Sequence, residues 1–231
     1  MICLNIIPNS ILITLQYFIF FRYQEGNGTT ALFKEVRSVE FITTNEIVVV
    51  DRTNFCLRTI DLLTIPTTST FAGNCTIQGY ADGDRLTDAL FNNPYDLEFD
   101  NSNQKLYVLE YNRKRLKVIY LTTGIMETVH RWYTTTYSIR LQGFNEIYRT
   151  YRHGVSSLDL TTKMETGILG SSDSGTAIGS FNITRLNSLE YITSPSVDNR
   201  IWFIADKNND RYFNLYFLVN ILTIKQTATK L

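Results

Sequence analysis

The sequence predicts an all-β fold, a β-propeller of about four blades in which each blade is a four-stranded antiparallel sheet. Three observations support this prediction: internal copies of one segment, short apolar runs separated by turn residues, and no long helical periodicity. The 231 residues include 14 Tyr and 14 Phe, and aromatic side chains suit a pleated, half-buried surface. Four short strands in a repeat of about 40–50 residues is the period of a propeller blade. One blade cannot cover both of its own faces, so neighbouring copies are expected to stack.

The internal copies are clearest in the first half of the chain. An Ala-Leu-Phe triplet, a short apolar strand and a longer two-strand segment each occur twice in the same order. The matching segments are 31–33 with 89–91, 36–41 with 95–99, and 47–62 with 106–121. Because the match covers loop, strand and turn together, a repeat is favoured over an irregular β-sandwich with coincidental similarity.

Two further copies follow in the second half. An abbreviated copy occupies 146–160, and a fourth runs over 200–218 after a linker at 170–181. In the second copy, runs of apolar residues bounded by Gly, Asn and Asp predict strands at 95–99, 105–110, 115–121 and 125–130. The predicted blades cover approximately 36–72, 94–130, 136–170 and 187–229, within a repeat region of 24–231.

The N-terminal segment 1–23 allows three interpretations. From Ile2 to Phe21 no residue is charged and most are apolar, and about 20 such residues can span a membrane. Pro8 and several polar residues interrupt the run, and neither a positive start nor an Ala-x-Ala cleavage pattern is present. The segment is therefore a signal or anchor, the outer strands of a preceding blade, or a mis-assigned chain start.

These copies resemble the NHL repeat. That family carries an acidic residue after the second strand, followed by Asn-x-x-(Ile/Leu)-(Arg/Lys), and 51–58 follows the pattern closely. The residues that carry the resemblance are Asp51, Asn54, Gly73, Asp82, Gly83, Phe91, Pro94, Glu110 and Asp206. The second copy departs from the pattern at Arg113, where the family favours Asn, and the third copy lacks the acidic residue. Most NHL propellers have six blades, so either the ring closes with four blades, or a second chain completes it, or the chain is a fragment. Four is the low end of the propeller range, which favours a fragment of a longer repeat protein or an incomplete gene product.

The resemblance also implies a disulfide and an extracellular or membrane-anchored location. Related secreted repeats pair cysteines placed like Cys56 and Cys75, although two unpaired thiols remain the alternative. Asn27, Asn74 and Asn182 begin Asn-x-Thr triplets, which are glycosylation acceptors in a secreted chain. A chain so rich in Asn and Thr also produces such triplets by chance.

No residue pattern indicates catalysis, a cofactor or a metal. Lys plus Arg equals Asp plus Glu at 22, so no broad nucleic-acid-binding face is expected. The basic run 113–117 is interpreted as a solvated hairpin. Asp82, Asp84 and Asp88 could gather around Ca²⁺, but their spacing is not that of a calcium loop and favours a solvated turn. His130 and His153 lack partners at metal-ligand spacing.

The resulting hypothesis is a non-catalytic binding scaffold. Loops on one face of the propeller would contact an unknown protein or glycan ligand, with no nucleic acid and with membrane contact only through the N-terminal segment. The alternative is a propeller-type hydrolase or lyase with a metal in the central channel. That alternative requires His or carboxylate side chains from different blades to meet.

Overall fold

The described part of the computed structural model is almost entirely β-structure. It comprises residues 2–7, 10–15, 23–63, 65–143, 145–170, 175, 186–193, 201–209, 211–218 and 221–227. The helical elements of this part are all three-residue 3-10 turns, so the all-β prediction is confirmed. The chain divides into two compact units, Met1–Arg131 and Trp132–Leu231.

The N-terminal segment contains two paired strands. β1 (Ile2–Ile7) and β2 (Ser10–Leu15) run antiparallel and form a two-stranded sheet. In the described residues, no helix has the length and apolar character needed to cross a membrane.

Two five-stranded sheets make up the rest of the first unit. The first sheet contains β3 (Gly26–Asn27), β4 (Val36–Phe41), β5 (Glu46–Asp51), β6 (Cys56–Asp61) and β7 (Thr67–Gly73). The second contains β8 (Gly83–Asp84), β9 (Pro94–Asp100), β10 (Lys105–Glu110), β11 (Arg115–Tyr120) and β12 (Ile125–Arg131). In each sheet the four longer strands pair with their sequence neighbours in an antiparallel meander. The four strands predicted for the second copy are all observed.

The two-residue strands β3 and β8 were not predicted from the sequence. Each pairs with the last strand of its own sheet, so the segment that leads into a sheet also closes its outer edge. The signal was present as the Glu-Gly-Asn and Asp-Gly-Asp triplets, which sit at the same place in both copies. A two-residue strand is too short for any alternation of apolar and polar residues to reveal it.

The core of the first unit lies between its two sheets. Strand β4 packs against β9. Buried side chains from both sheets form one apolar cluster, which includes Val48, Leu57, Phe71, Leu97, Leu106 and Ile119. A second group on the opposite face of the first sheet contains Ile47, Val49 and Ile60. Consecutive residues of β5 are thus buried on opposite faces of the sheet, as expected for a strand with apolar contacts on both faces.

The second unit has two four-stranded meanders. One contains β13 (Thr136–Gln142), β14 (Glu146–Tyr151), β15 (Gly154–Asp159) and β16 (Glu165–Gly170). The other contains β17 (Leu189–Thr193), β18 (Ile201–Asp206), β19 (Arg211–Leu218) and β20 (Ile221–Thr227). A cluster that includes Tyr148, Val155, Leu169, Leu189 and Ile204 packs the two together.

The four sheets with four or five strands share a backbone irregularity. The pairing of the first and second strands shifts beside the last residue of the second strand. In the first three sheets the pairing of the third and fourth strands also shifts, directly after Leu57, Leu116 and Val155. A bulge adds one residue to a strand and increases the local twist. The copies therefore repeat the same twisted sheet in detail.

Candidate functional site

The predicted acidic position joins each sheet to the segment that precedes it. The Asp51 carboxylate is buried; its Oδ1 accepts hydrogen bonds from the backbone N–H groups of Lys34 (3.0 Å) and Glu35 (3.3 Å). Its Oδ2 accepts one from the Asn54 side-chain amide at 2.8 Å. Asn54 is three residues further along, which explains why Asp and Asn recur at this spacing.

Asp206 makes the same contacts in the fourth sheet. It is fully buried, and it accepts hydrogen bonds from the Asn187 backbone N–H (2.8 Å) and the Asn209 amide (2.7 Å). Tyr151 occupies the acidic position of the third sheet, at the end of β14. The acidic residue thus acts as a structural clamp in the sheets that have one.

The second sheet has an incomplete clamp. Glu110 is fully buried, and its Oε1 accepts a 2.6 Å hydrogen bond from the Asn92 backbone N–H. Its Oε2 has no hydrogen-bond partner among the described residues, because Arg113 stands where the other clamps have Asn. Burial raises the pKa of Glu110 above its ordinary value of 4.5. The ionised form of this side chain therefore opposes folding at neutral pH.

Completing this clamp is expected to stabilise the protein. The double substitution Glu110→Asp with Arg113→Asn would reproduce the Asp–Asn pair of the first and fourth sheets. A hydrogen bond to a charged group contributes about 1.5–3 kcal/mol. The free energy of unfolding of the double variant should exceed the value expected from adding the effects of the two single substitutions by that amount.

The gain should depend on pH in a defined direction. The added amide stabilises the ionised carboxylate and lowers its folded-state pKa, which burial raises in the wild type. The gain is therefore complete above the raised pKa of Glu110 and is lost as the pH falls below it and the carboxylate becomes protonated. Thermal unfolding of all four proteins at pH 7 and at acidic pH measures this. Additive effects of the two substitutions at pH 7 would contradict the clamp.

Buried cations lie beside two of the clamps. Arg58 is fully buried and donates to the carbonyl oxygens of Leu32 (2.6 Å) and Gln24 (2.7 Å), with Asp51 at 3.6 Å and the Phe33 ring 4.3 Å from its centre. Lys117 is the equivalent residue of the second sheet.

Lys117 is also fully buried, and it forms a 2.7 Å ion pair with Asp82. Arg115 is buried too, with its guanidinium 4.8 Å from the centre of the Tyr80 ring. The interpretation of 113–117 as a solvated hairpin is thus wrong for these two residues. Alternation along β11 turns them into the protein, where each is paired.

The third sheet has its cation on a different strand. Arg149 on β14 is buried, and it binds Glu165 (2.5 Å) and Ser156 (2.9 Å). The cross-strand pairs are Val49 with Arg58, Val108 with Lys117, and Arg149 with Ser156. In the third sheet the cation therefore lies at the same pairing position but on the second strand instead of the third.

The remaining repeat residues of the first unit shape the segment between its two sheets. Gly73 has φ 83°, and an added Cβ would lie 2.7 Å from the ring of buried Phe91. Gly83 has φ 130° and similarly approaches Asp88. Pro94 is buried as the first residue of β9, where its missing N–H is tolerated. Side chains other than glycine would not fit at 73 and 83.

The three aspartates of this segment have protein partners. Asp82 binds Lys117 and also accepts from the backbone N–H and hydroxyl of Thr128. Asp84 accepts from the backbone N–H groups of Leu86 and Thr87, and Asp88 accepts from that of Asp84. Within the described chain, no group of three His, Cys, Asp or Glu residues is placed to hold a metal.

The expected disulfide is present between Cys56 and Cys75. It joins the start of β6 to the segment that leads into the second sheet, and both cysteines are buried. Asn74 is exposed beside it and accepts hydrogen bonds from the backbone N–H and hydroxyl of Thr76. Asn27 is exposed on β3, and Asn182 lies outside the described residues.

An arginine–tyrosine surface lies where β4 and β9 begin; it consists of Glu35, Arg37, Arg52, Tyr95 and Tyr111. The two tyrosine rings stack with their centroids 4.9 Å apart. The Arg52 guanidinium lies 5.3 Å from the Tyr95 ring centre, and that of Arg37 lies 5.1 Å from it. Glu35 accepts a hydrogen bond from each arginine, at 2.8 and 2.9 Å.

The Arg37 side chain is the most available group of this surface. It is 40% exposed and uses only Nε to bind Glu35. Its two terminal nitrogens donate no hydrogen bond to any described residue. Two arginines and one glutamate leave the surface with an excess of one positive charge.

An inter-sheet cleft lies at the opposite end of β4, where the apolar core between the first two sheets ends. Its volume is about 330 Å³, and its lining includes Glu46, Ser69, Phe71, Arg85, Gln104 and Leu121. Phe71 belongs to the core, and Leu121 packs against it. The cleft therefore has an apolar wall and a polar mouth.

Neither the arginine–tyrosine surface nor the inter-sheet cleft was predicted from the sequence. Arg37 and Tyr95 occupy the same position in successive copies, one residue into the first strand, and Arg52 and Tyr111 both follow the acidic residue directly. Arg37 is exposed and the other three residues are half-buried. The unusual residue types at these repeat positions were the available signal. The cleft had none, because residues from three strands and four connecting segments form it.

No protein-family model and no curated protein matches the sequence. Solved structures do match the fold. A Bacteroides thetaiotaomicron protein of unknown function superposes on 89% of the chain with a TM-score of 0.62 at 13% identity. An auxiliary nutrient binding protein from Bacteroides ovatus superposes on 85% with a TM-score of 0.52 at 14% identity. The chain spans about half the length of these structures, 46% and 58% respectively.

Proposed function

We propose that the chain forms part of an NHL-type β-propeller that acts as a binding scaffold. The repeated acid clamp, the linker glycines and the stacked four-stranded meanders all support this proposal. Each sheet is then one blade, and the chain supplies four blades of the ring. The buried charged side chains bind other groups of the protein, so in this proposal the ligand contacts residues of the loops.

In this proposal the ligand binds to the arginine–tyrosine surface. This surface is the observation that carries the proposed binding function. Arg and Tyr are enriched among residues that dominate binding energies, because they combine large contact areas with directional donors. Glu35 and the stacked rings hold Arg52 in place, so little side-chain freedom is lost on binding. The ligand is a protein or glycan that presents acidic groups to Arg37.

The location is proposed to be extracellular. Disulfides persist in oxidising compartments, and Cys56–Cys75 is consistent with one. The Bacteroides ovatus structure carries the name of a nutrient binding protein, which supports a binding role for this type of fold. Glycans at Asn27 and Asn74 would accompany secretion.

The test is a binding comparison with a matched control. Protein secreted from eukaryotic cells would be screened on a glycan array and against purified extracellular proteins. Arg37→Glu should weaken any specific binding about tenfold or more, whereas Arg131→Glu, another exposed arginine of the first unit, should not. Equal binding by both variants, or turnover of lactones, esters or amidated-peptide precursors, would contradict the proposal.

A further inference from the structure

We propose that the inter-sheet cleft is a second binding site, which takes a neutral polyhydroxylated ligand about the size of one sugar ring. The cleft lies within the first unit, between the first and second sheets. Its volume of about 330 Å³ is near the lower end of the range for small-molecule sites. It does not involve the arginine–tyrosine surface.

The lining side chains have unused hydrogen-bonding capacity. Glu46 accepts from the Thr59 hydroxyl (2.6 Å) through Oε1, which leaves Oε2 available. Gln104 uses its Nε2 to bind Asn101, which leaves its carbonyl oxygen. Within the described residues, no hydrogen bond is made by the Ser69 hydroxyl. Acceptors and a hydroxyl thus line one small space.

Arg85 adds donors to the same space. Its Nη1 donates to the Phe71 carbonyl oxygen at 3.0 Å, and its guanidinium lies 4.4 Å from the centre of the Phe71 ring. These contacts fix the guanidinium plane while Nε and Nη2 stay available. A donor that is already held in place loses less conformational entropy on binding than a mobile one.

The charge and shape of the cleft select the ligand class. One glutamate and one arginine cancel, so a simple anion or cation meets repulsion as well as attraction. Hydroxyl groups both donate and accept, and they can therefore satisfy Glu46 and Arg85 without carrying charge. The apolar wall of Phe71 and Leu121 can cover the C–H face of a sugar ring. A free amino acid would match the two charges but leave Ser69 and Gln104 without partners.

The test is saturation-transfer difference NMR on the full chain with five sugars at millimolar concentration: glucose, galactose, mannose, xylose and N-acetylglucosamine. At least one should bind. Ser69→Phe fills the cleft from β7 and should weaken that binding about tenfold or more. Thr166→Phe is the matched control, because Thr166 has the same pairing position on the fourth strand of the third sheet.

Two further measurements complete the experiment. Glu46→Gln keeps the side-chain volume but replaces an acceptor, so it should also weaken binding about tenfold. Circular dichroism melting checks that each variant is folded. The proposal is overturned if none of the five sugars binds, if Ser69→Phe and Thr166→Phe bind alike, or if glycine displaces the sugar. Arg131→Glu, which changes an exposed arginine outside the cleft lining, should leave sugar binding unchanged.

Discussion

Replacing Arg58 by alanine should lower the free energy of unfolding by about 3–5 kcal/mol, because it breaks a buried ion pair and leaves one partner behind. Asp51 would stay buried without its counter-charge, and the carbonyl oxygens of Gln24 and Leu32 would lose their donor. A cavity would also open beside Phe33, against which the guanidinium packs.

The loss should be largest at neutral pH. Burial already raises the pKa of Asp51, and Arg58 partly offsets this. Without Arg58 the folded-state pKa rises further, so the stability of the variant falls as the pH rises through that value. The difference in stability between wild type and variant should therefore narrow in acid, where only the loss from the cavity and the unpaired carbonyl oxygens remains. Urea unfolding at several pH values measures both the loss and its pH dependence.

Two variants serve as controls for Arg58→Ala. Arg58→Lys should lose less, because Lys117 fills the equivalent place in the second sheet and reaches the carbonyl oxygens of Tyr80 and Ala81. Arg37→Ala removes an exposed arginine and should change stability by about 0.5 kcal/mol or less. A loss at Arg58 no greater than at Arg37 would show that the buried pair does not stabilise the sheet.

Replacing Cys56 and Cys75 together by alanine should cost about 3 kcal/mol. The bond closes a loop across 19 positions, which restricts the unfolded chain more than the folded one. Reduction of the wild-type protein should produce the same decrease in the thermal midpoint, which separates the cross-link from the packing of the two side chains. Intact mass with and without reductant reports whether the bond forms in the secreted protein.

The alanine pair also has an internal control. The Cys75 sulfur lies 3.5 Å from the Thr70 hydroxyl oxygen, and only the hydroxyl can donate across this contact because a disulfide sulfur carries no hydrogen. Cys75→Ala alone removes this contact together with the bond, so Cys56→Ala alone should match it if the bond dominates. Single variants that differ by more than about 1 kcal/mol would assign part of the effect to local packing.

Much of the first unit could be predicted from the sequence because its signals are local. The strands of the second copy follow from alternation and turn residues, each within a few positions. The Asp51–Asn54 clamp spans only three residues, so the motif is visible in one short segment. The Cys56–Cys75 pairing followed from the family resemblance rather than from any local rule.

The positions of the charges could not be predicted. Lys117 belongs to a run of basic residues that looks solvent-exposed, yet it is buried, with its ammonium against Asp82 and the carbonyl oxygens of Tyr80 and Ala81. The cation of the third sheet could not be located either. In the third sheet Ser156 of β15 stands at the position of the cation, and Arg149 lies opposite it on β14. Only the pairing of the two strands shows this relation.

The sequence alone determined the repeated unit, its longer strands and its acidic position, since these depend on residues close together in the chain. Tertiary structure decided which charged side chains are buried, where tyrosines and arginines gather, and where the cleft opens. These features depend on sheets packing against each other through residues far apart in sequence, and Arg58 with its partner Gln24, 34 positions away, is one example. Pairing across such distances has no local pattern to reveal it.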